Sequence, residues 1–404
     1  MSSFHKHKPA VRRRVALLAV HHVAIGDQRY HGGAEKYIRL TIRALLDAGA
    51  AVHVGYSGTS IYDDLLAGGS AARLTVEQTG WINDVLAGDA RLSPKTIAAR
   101  RRWLRRTGAD TVFAVQQASG GAFAASLIAA KLLGLRVVSS IRQLPEPLPA
   151  PTEKRWLGFI PSPQLWRRRL LWRRGVPALC CDAIIFNSRR VAEAYFREYR
   201  FPRARCRIIP NGELPRPTDK AALSVPPCNI ATVGRVTHAK GCDALLEAFA
   251  LVSARHPDAR LTYYGDGPQI GDLQARSRAL GLAGRIAFPG YESDHEKVYP
   301  QIDIYVQASR RESMSNSVIE AMARGIPCVV TNVGGLPETV GEGECGFVVP
   351  PDEPRACAEA ICRLLGDREV FARLGDAAIE RVRRHFNLEH VTRQTVETIL
   401  GDYF

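Results

Sequence analysis

Two glutamates, Glu312 and Glu320, stand in the stretch RRESMSNSVIEAMARGIP with seven residues between them, three serines and an asparagine included. Ionised carboxylates are strong hydrogen-bond acceptors, and the hydroxyls of a sugar are suitable donors to them. The run DIYVQAS just before ends a strand, and NSVIEAMARG has helical spacing. Glu312 therefore belongs to a loop at the carboxyl end of a strand. Ser317-Val-Ile-Glu320 matches a capping box, with Ser317 as N-cap and Glu320 reaching back to it. Capping alone would give Glu320 a purely structural role. A helix starting there would also aim the backbone N–H groups of residues 314–318 at the strand-end crevice, where they suit phosphate oxygens. Carboxylates and amides together suit a ligand that carries both sugar and phosphate.

Three more loops follow strands in the same half of the chain. VGRVTHAKG, residues 233–241, places Arg235 and Lys240 before a helix, and two cations there suit a phosphate or diphosphate; the alternative is a solvated basic loop. GDGP, residues 265–268, is a glycine turn, and Gly265, Gly267 and Gly271 run one residue longer than a dinucleotide fingerprint. NVGGLPETV, residues 332–340, is a further glycine turn.

The elements that must position these loops alternate along the chain. NIATV, RLTYY, RIAF, DIYVQAS and PCVVT read as strands, with helical patterns such as CDALLEAFALVSA between them. The first half repeats the theme with VALLAV, a helix from Gly33 to Ala48, AVHVGY, a basic helix near 95–106, TVFAV, RVVSSI and AIIFNS. Strand–helix alternation with short turns predicts parallel, doubly wound sheets. A chain of 404 residues exceeds one core and predicts two such domains, joined near the Pro-rich residues 209–229. In open parallel sheets, ligands bind beyond the carboxyl ends of the strands.

No apolar run reaches the roughly 18 residues of a spanning helix. The basic and then apolar N-terminus contains His21 and His22 and lacks a small-residue cleavage site, so it reads as a first strand behind a basic tail. The two histidines could line a cleft, but a core or edge role suits them better. Nine cysteines without a CxxC fit reduced thiols in a cytoplasm. Charge is uneven: residues 1–205 hold 33 Lys/Arg against 14 Asp/Glu, and residues 206–404 hold 22 against 26. The basic half is expected to face something anionic. PSPQLWRRRLLWRRGVP, residues 161–177, puts Trp and Leu on one helical face and arginines on the other. That pattern predicts an interfacial helix on an anionic leaflet, or else an ordinary amphipathic helix packed on its domain.

Taken in order, HGGAEKYIRL, FNS, IPNG, VGRVTHAKGCDALLEAF, YYGDGP, AFPG and the stretch from DIYVQAS to NVGGLPE resemble the retaining GT-B glycosyltransferases of family 4, Glu312 and Glu320 forming that family's E-x7-E signature. The resemblance implies two Rossmann-like domains facing across a cleft: residues 1–210 for the acceptor, residues 211–385 for a nucleotide-sugar, and a helix in 386–404 returning to the first domain. It implies that Glu320 binds ribose hydroxyls, that Glu312 holds the transferred sugar near its anomeric carbon, and that Arg235 and Lys240 stabilise the diphosphate leaving group. Met314, Ser315, Asn316 and Ser317 would complete the phosphate cradle. Gly32 and Gly33 would bring a helix N-terminus of the first domain close to the donor phosphates. Gly265, Asp266, Gly290 and Tyr291 would border the base.

The resemblance further implies a donor substrate, UDP-linked in most relatives, with no cofactor and no metal; the sequence has no Asp-x-Asp metal clamp. Where many relatives have an active-site histidine, this chain has Arg142, which cannot act as a base at neutral pH. Front-face retention needs no protein base, because the leaving phosphate takes the acceptor proton. Arg142 could instead bind an acidic group of the acceptor or form a structural ion pair.

The acceptor is expected to be a saccharide or a lipid-linked (polyprenyl-diphosphate) species, reached from the cytoplasmic face of the membrane, in surface polysaccharide, lipopolysaccharide or glycolipid synthesis. A polyanion- or nucleic-acid-binding protein would show a recognised module or interleaved aromatics, and only 7% of residues are aromatic. A NAD-dependent oxidoreductase would need a regular GxGxxG followed by an acid roughly 20 positions on. An inactive scaffold is disfavoured by the presence of Glu312, Glu320, Arg235 and Lys240 together.

Overall fold

The computed structural model describes residues 13–20, 33–57, 62–67, 71–79, 93–116, 123–145, 179–198, 201–216 and 228–401. His21, His22, Gly32 and the basic segment 161–177 lie outside them. The chain divides into two compact units, one of residues 1–186, 195–207 and 392–404, the other of residues 187–194 and 208–391.

Unit 1 is a seven-stranded sheet in the order β3-β2-β1-β4-β5-β6-β7. Its strands are β1 (Arg14–Val20), β2 (Ala51–Ser57), β3 (Leu74–Gln78), β4 (Thr111–Gln116), β5 (Arg136–Ile141), β6 (Ala183–Phe186) and β7 (Cys206–Ile208). β1 pairs in parallel with β2 and β4, so the strand order reverses at β1. The central strands are apolar without alternation because both faces are covered: Val15 to Ala19 and Val112 to Val115 are all buried. The Pro94–Thr107 helix shows how sequence sets helix ends. The Ser93 hydroxyl accepts from the Thr96 N–H at 3.1 Å, Pro94 supplies a preset φ, and Gly108 closes the helix at φ 61°. At the C-terminal end, Arg136 donates to the carbonyls of Thr398 and Ile399 at 3.0 and 3.2 Å, tying the end of the Leu388–Leu400 helix to β5.

Unit 2 is a six-stranded sheet in the order β10-β9-β8-β11-β12-β13. It contains β8 (Asn229–Val233), β9 (Arg260–Tyr264), β10 (Ile286–Gly290), β11 (Ile304–Gln307), β12 (Cys328–Thr331) and β13 (Gly346–Val349). Its strands pair in parallel, and β8 lies between β9 and β11. The order reverses between β8 and β11, which is the switch point where open α/β sheets open a crevice for ligands. The Cys242–Arg255 helix buries Leu245, Leu246, Phe249 and Val252 against one side of this sheet. Val318, Ile319 and Met322 of the Asn316–Met322 helix fill the other. Each such side chain contributes roughly 1.5–3 kcal/mol on burial. These two helices follow β8 and β11, so packing alone carries both of their preceding loops to the switch point. All nine cysteines are free thiols, and burial raises that of Cys242 to about 11.

Candidate active site

The loop after β8 makes a single turn at His238–Lys240 and enters its helix through Gly241, which adopts φ 66°. A β-carbon on Gly241 would lie 1.9 Å from the Ala308 carbonyl oxygen, so only glycine lets this loop press against the end of β11. That close approach brings Lys240 to Glu312, whose carboxylate accepts from the Lys240 ammonium. The side chains of Lys240 and Glu312 are 25% and 12% exposed, so the pair is half-buried. Glu312 Oε1 also accepts from the Ser313 N–H at 3.2 Å. Arg235, on the same loop, is exposed and has no side-chain partner among the described residues.

The loop from Ser313 to Ser317 rests on a buried polar network. The Tyr305 hydroxyl donates to Gln307 Oε1 at 2.8 Å and lies 2.7 Å from Ser317 Oγ. Ser315 Oγ lies 2.9 Å from Ser317 Oγ and donates to Gln307 Oε1 at 3.2 Å, while Gln307 Nε2 donates to Ser309 Oγ at 2.7 Å. Burial pushes the Tyr305 phenol well above its ordinary range, so it remains a donor. Further residues of unit 2 steady the same loop. Asn187 Nδ2 donates to Ser313 Oγ at 3.3 Å, the Gly335 N–H donates to the Ser313 carbonyl at 2.7 Å, and Asn211 donates to Asn316 Oδ1. Asn187, Asn211 and Gly335 belong to FNS, IPNG and NVGGLPETV, so three distant short motifs support one loop.

The capping box does not form. The helix runs Asn316–Met322 with Ser315 in the N-cap position and no side-chain cap bond. Glu320 turns inward instead and is 3% exposed. Its Oε2 accepts from the Tyr299 hydroxyl at 2.7 Å and lies 3.2 Å from His295 Nδ1. The helix begins two residues earlier than the Ser-x-x-Glu pattern predicts because Ser317 is committed to Tyr305, and Glu320 has a better-fixed donor in Tyr299.

Gly265 and Gly267 are needed for backbone contact. β-Carbons there would lie 2.0 Å from the Gly234 oxygen and 2.1 Å from the Val236 oxygen. The Gly265 N–H donates to the Gly290 carbonyl at 2.8 Å, and the Val236 N–H donates to the Asp266 carbonyl at 2.9 Å. The predicted base-bordering residues therefore knit the loops after β8, β9 and β10 together; Tyr291 follows directly on β10. In unit 1, Gly33 opens the Gly33–Asp47 helix. Arg142 follows β5 and is 8% exposed, with its guanidinium 3.2 Å from the centre of the Tyr37 ring and its Nε donating to Ser140 Oγ at 3.3 Å. Thus Arg235, Lys240, Glu312, residues 314–317 and Glu320 share unit 2, on the loops of one switch point, while Arg142 and Gly33 belong to unit 1.

Sequence reasoning missed Arg310, Tyr299 and His295. Arg310 was hidden in a short charge run, and the two others lie on a segment with no motif.

Two Rossmann-like domains with parallel sheets define an α/β protein of the GT-B class. Anabaena HepE, solved in complex with UDP, superposes with a TM-score of 0.72 at 19% identity over 96% of this chain and 99% of that one. The sucrose-phosphate synthase of Thermosynechococcus elongatus gives 0.69 at 25% identity over 95% and 97%. Residues 31–212 match the family described as Glycosyltransferase Family 4, and residues 227–367 match Glycosyl transferases group 1. The family 4 resemblance therefore holds over both domains. A lipopolysaccharide core biosynthesis glycosyltransferase, LpsE, of Rhizobium meliloti (strain 1021) is 30% identical over 176 residues, 43% of this chain and 51% of that protein. The D-inositol 3-phosphate glycosyltransferase of Corynebacterium glutamicum (strain R) is 37% identical over 162 residues, 38% and 39% of the two chains. The matched region spans about half the length of such relatives or less.

Proposed function

We propose that this protein is a retaining glycosyltransferase that moves a hexose or N-acetylhexosamine from a nucleotide-sugar, UDP-linked, to a saccharide or lipid-linked acceptor in surface polysaccharide or lipopolysaccharide synthesis. The observation that carries the reading is the Lys240–Glu312 pair at the switch point of unit 2. It sets a cation and a carboxylate side by side, as a sugar joined to a diphosphate requires. HepE was solved with UDP, and LpsE is a lipopolysaccharide core glycosyltransferase; both support the donor and pathway class.

In the reaction, the bond from the anomeric carbon to the β-phosphate oxygen breaks and a bond to the acceptor oxygen forms on the same face. The leaving phosphate takes the acceptor proton. Lys240 and Arg235 stabilise the charge that grows on the diphosphate, a preorganised electrostatic effect. Glu312 orients the sugar hydroxyls, and Glu320, held by Tyr299, receives the ribose. The basic balance of residues 1–205 suits docking to an anionic membrane face; no helix among the described residues is long and apolar enough to cross a membrane.

The test is Glu312→Ala, assayed for transfer and for nucleotide binding. Loss of transfer with nucleotide affinity nearly intact is expected; equal loss of both would make Glu312 structural. A thermal shift with UDP and a larger one with a single UDP-sugar would name the donor. A shift with NAD alone would overturn the reading.

A further inference from the structure

Arg310 lies two residues before Glu312, and its side chain pairs with none of Glu312, Lys240 and Arg235. Its guanidinium nevertheless joins three strand-end loops. Nη1 donates to the His238 carbonyl at 2.7 Å and to Asp243 Oδ1 at 2.6 Å, and Nη2 donates to Asp243 Oδ2 at 3.0 Å. Nε meets Asp352 Oδ1 at 2.7 Å, just beyond β13. The main chain adds to the tie: the N–H groups of Arg310 and Arg311 donate to the Ala239 carbonyl at 3.0 and 3.3 Å.

The turn so clasped is His238–Lys240, which carries the ammonium that meets Glu312. Gly241, directly after it, is wedged against Ala308. The turn is therefore gripped at its carbonyls by residues 310–311 and at its exit by β11. A solvated arginine would not look like this. The side chain of Arg310 is only 21% exposed, and its fork is bidentate on Asp243 and spent on three separate acceptors. Lysine could not reproduce that geometry, because an ammonium lacks the planar fork.

We propose that Arg310 is a positioning residue of the transfer reaction, setting the Lys240 ammonium against Glu312 by clasping the His238–Lys240 turn to Asp243 and Asp352. The role rests on the transferase reading; the clasp itself does not.

The experiment therefore has two arms, run on the full chain with Arg310→Gln, Arg310→Lys and Asp243→Asn. In the first arm, amide hydrogen exchange is followed. Loss of the clasp is expected to speed exchange at Lys240 and Gly241, whose N–H groups bond to Thr237 and His238 within the turn, while the strands keep their protection. Unchanged exchange there overturns the proposal whatever the activity. In the second arm, transfer from UDP-glucose to water or acceptor is compared for Lys240→Ala in the wild-type and Arg310→Gln backgrounds. Misplacing a catalytic group by a fraction of an ångström to an ångström costs on the order of tenfold to a hundredfold in kcat. Arg310→Gln should show that loss with UDP affinity nearly unchanged, and Lys240→Ala should then cost far less than it does alone. Independent, multiplicative losses would show that Arg310 acts on the fold rather than through Lys240. Arg276→Gln, which removes the surface pair with Glu247, is the control and should move neither arm. A wild-type chain that binds no nucleotide would defeat the transferase reading and leave the exchange arm to decide whether the clasp exists.

Discussion

The hydroxyl of Tyr299 donates to Oε2 of Glu320 at 2.7 Å, and both side chains are buried. Burial first, and then the neighbouring carboxylate, push the Tyr299 phenol far above its ordinary range, so it stays a donor at neutral pH. The Arg324 guanidinium stacks 4.8 Å over the Tyr299 ring and donates to the Glu320 carbonyl at 3.1 Å and to Glu296 at 2.5 Å. Glu320 is thus aimed by a donor that is itself braced. Tyr299→Phe removes the donor and preserves the ring. If Glu320 receives the ribose, nucleotide affinity should fall about fivefold, the equivalent of roughly 1 kcal/mol for one hydrogen bond. Titration calorimetry with UDP reads this directly, and unchanged affinity in a folded variant would remove Glu320 from the nucleotide site.

Asp243 gives a pH-dependent prediction. Burial would raise its carboxyl, but the two hydrogen bonds and the charge of Arg310 outweigh this and hold it below the usual carboxylate range. A carboxyl lowered on folding contributes stability that is complete above its unfolded value of about 3.9 and is lost as pH falls through the folded value. Asp243→Asn should therefore cost about 2 kcal/mol near neutral pH. The gap from wild type should shrink below roughly pH 4, where the wild type loses the same contribution. Denaturant unfolding at several pH values reads the gap. A gap that stays constant down to pH 3 would mean that the carboxylate is not the linked group. Asp182, lowered against the effect of burial by Lys131 and the Val137 N–H, predicts the same direction for Asp182→Asn in unit 1.

Much of this site could be read from the sequence because parallel α/β sheets deliver their strand-end loops to one edge. Once NIATV and DIYVQAS are strands, the loops carrying Lys240 and Glu312 must come near each other. The contacts that finish the site were not legible, and the reasons differ. Ser317-Val-Ile-Glu320 has the local chemistry of a cap, but Tyr305 and Tyr299 compete for the two side chains from 12 and 21 residues away. Arg310 takes its partners from 67 residues upstream and from beyond β13. The short strands β3, β7 and β13 gave no distinct signal, since three to five residues on a sheet periphery carry too little pattern. Asn187, Asn211 and Gly335 were visible as motifs, but only the fold shows that they hold the same loop.

The glycine turns allow a last prediction, because similar-looking glycines do different work. Gly241 combines φ 66° with a β-carbon position 1.9 Å from the Ala308 oxygen, and that oxygen is backbone that cannot swing away. Gly241→Ala must shift either the entry of the Cys242–Arg255 helix or the end of β11. Backbone strain of this kind costs about 1–3 kcal/mol before the clash is counted. Because Lys240 is the adjacent residue, transfer should fall further than stability alone accounts for. Gly271 reads much the same in the sequence, yet it lies in the first turn of the Ile270–Ala279 helix with nothing within 4 Å of a β-carbon. Gly271→Ala should be neutral or stabilise by up to about 1 kcal/mol, since alanine loses less chain entropy on entering a helix. Thermal unfolding of the two variants side by side tests the contrast. Equal effects would show that the nesting of the β8 loop against β11 is not what selects glycine at position 241.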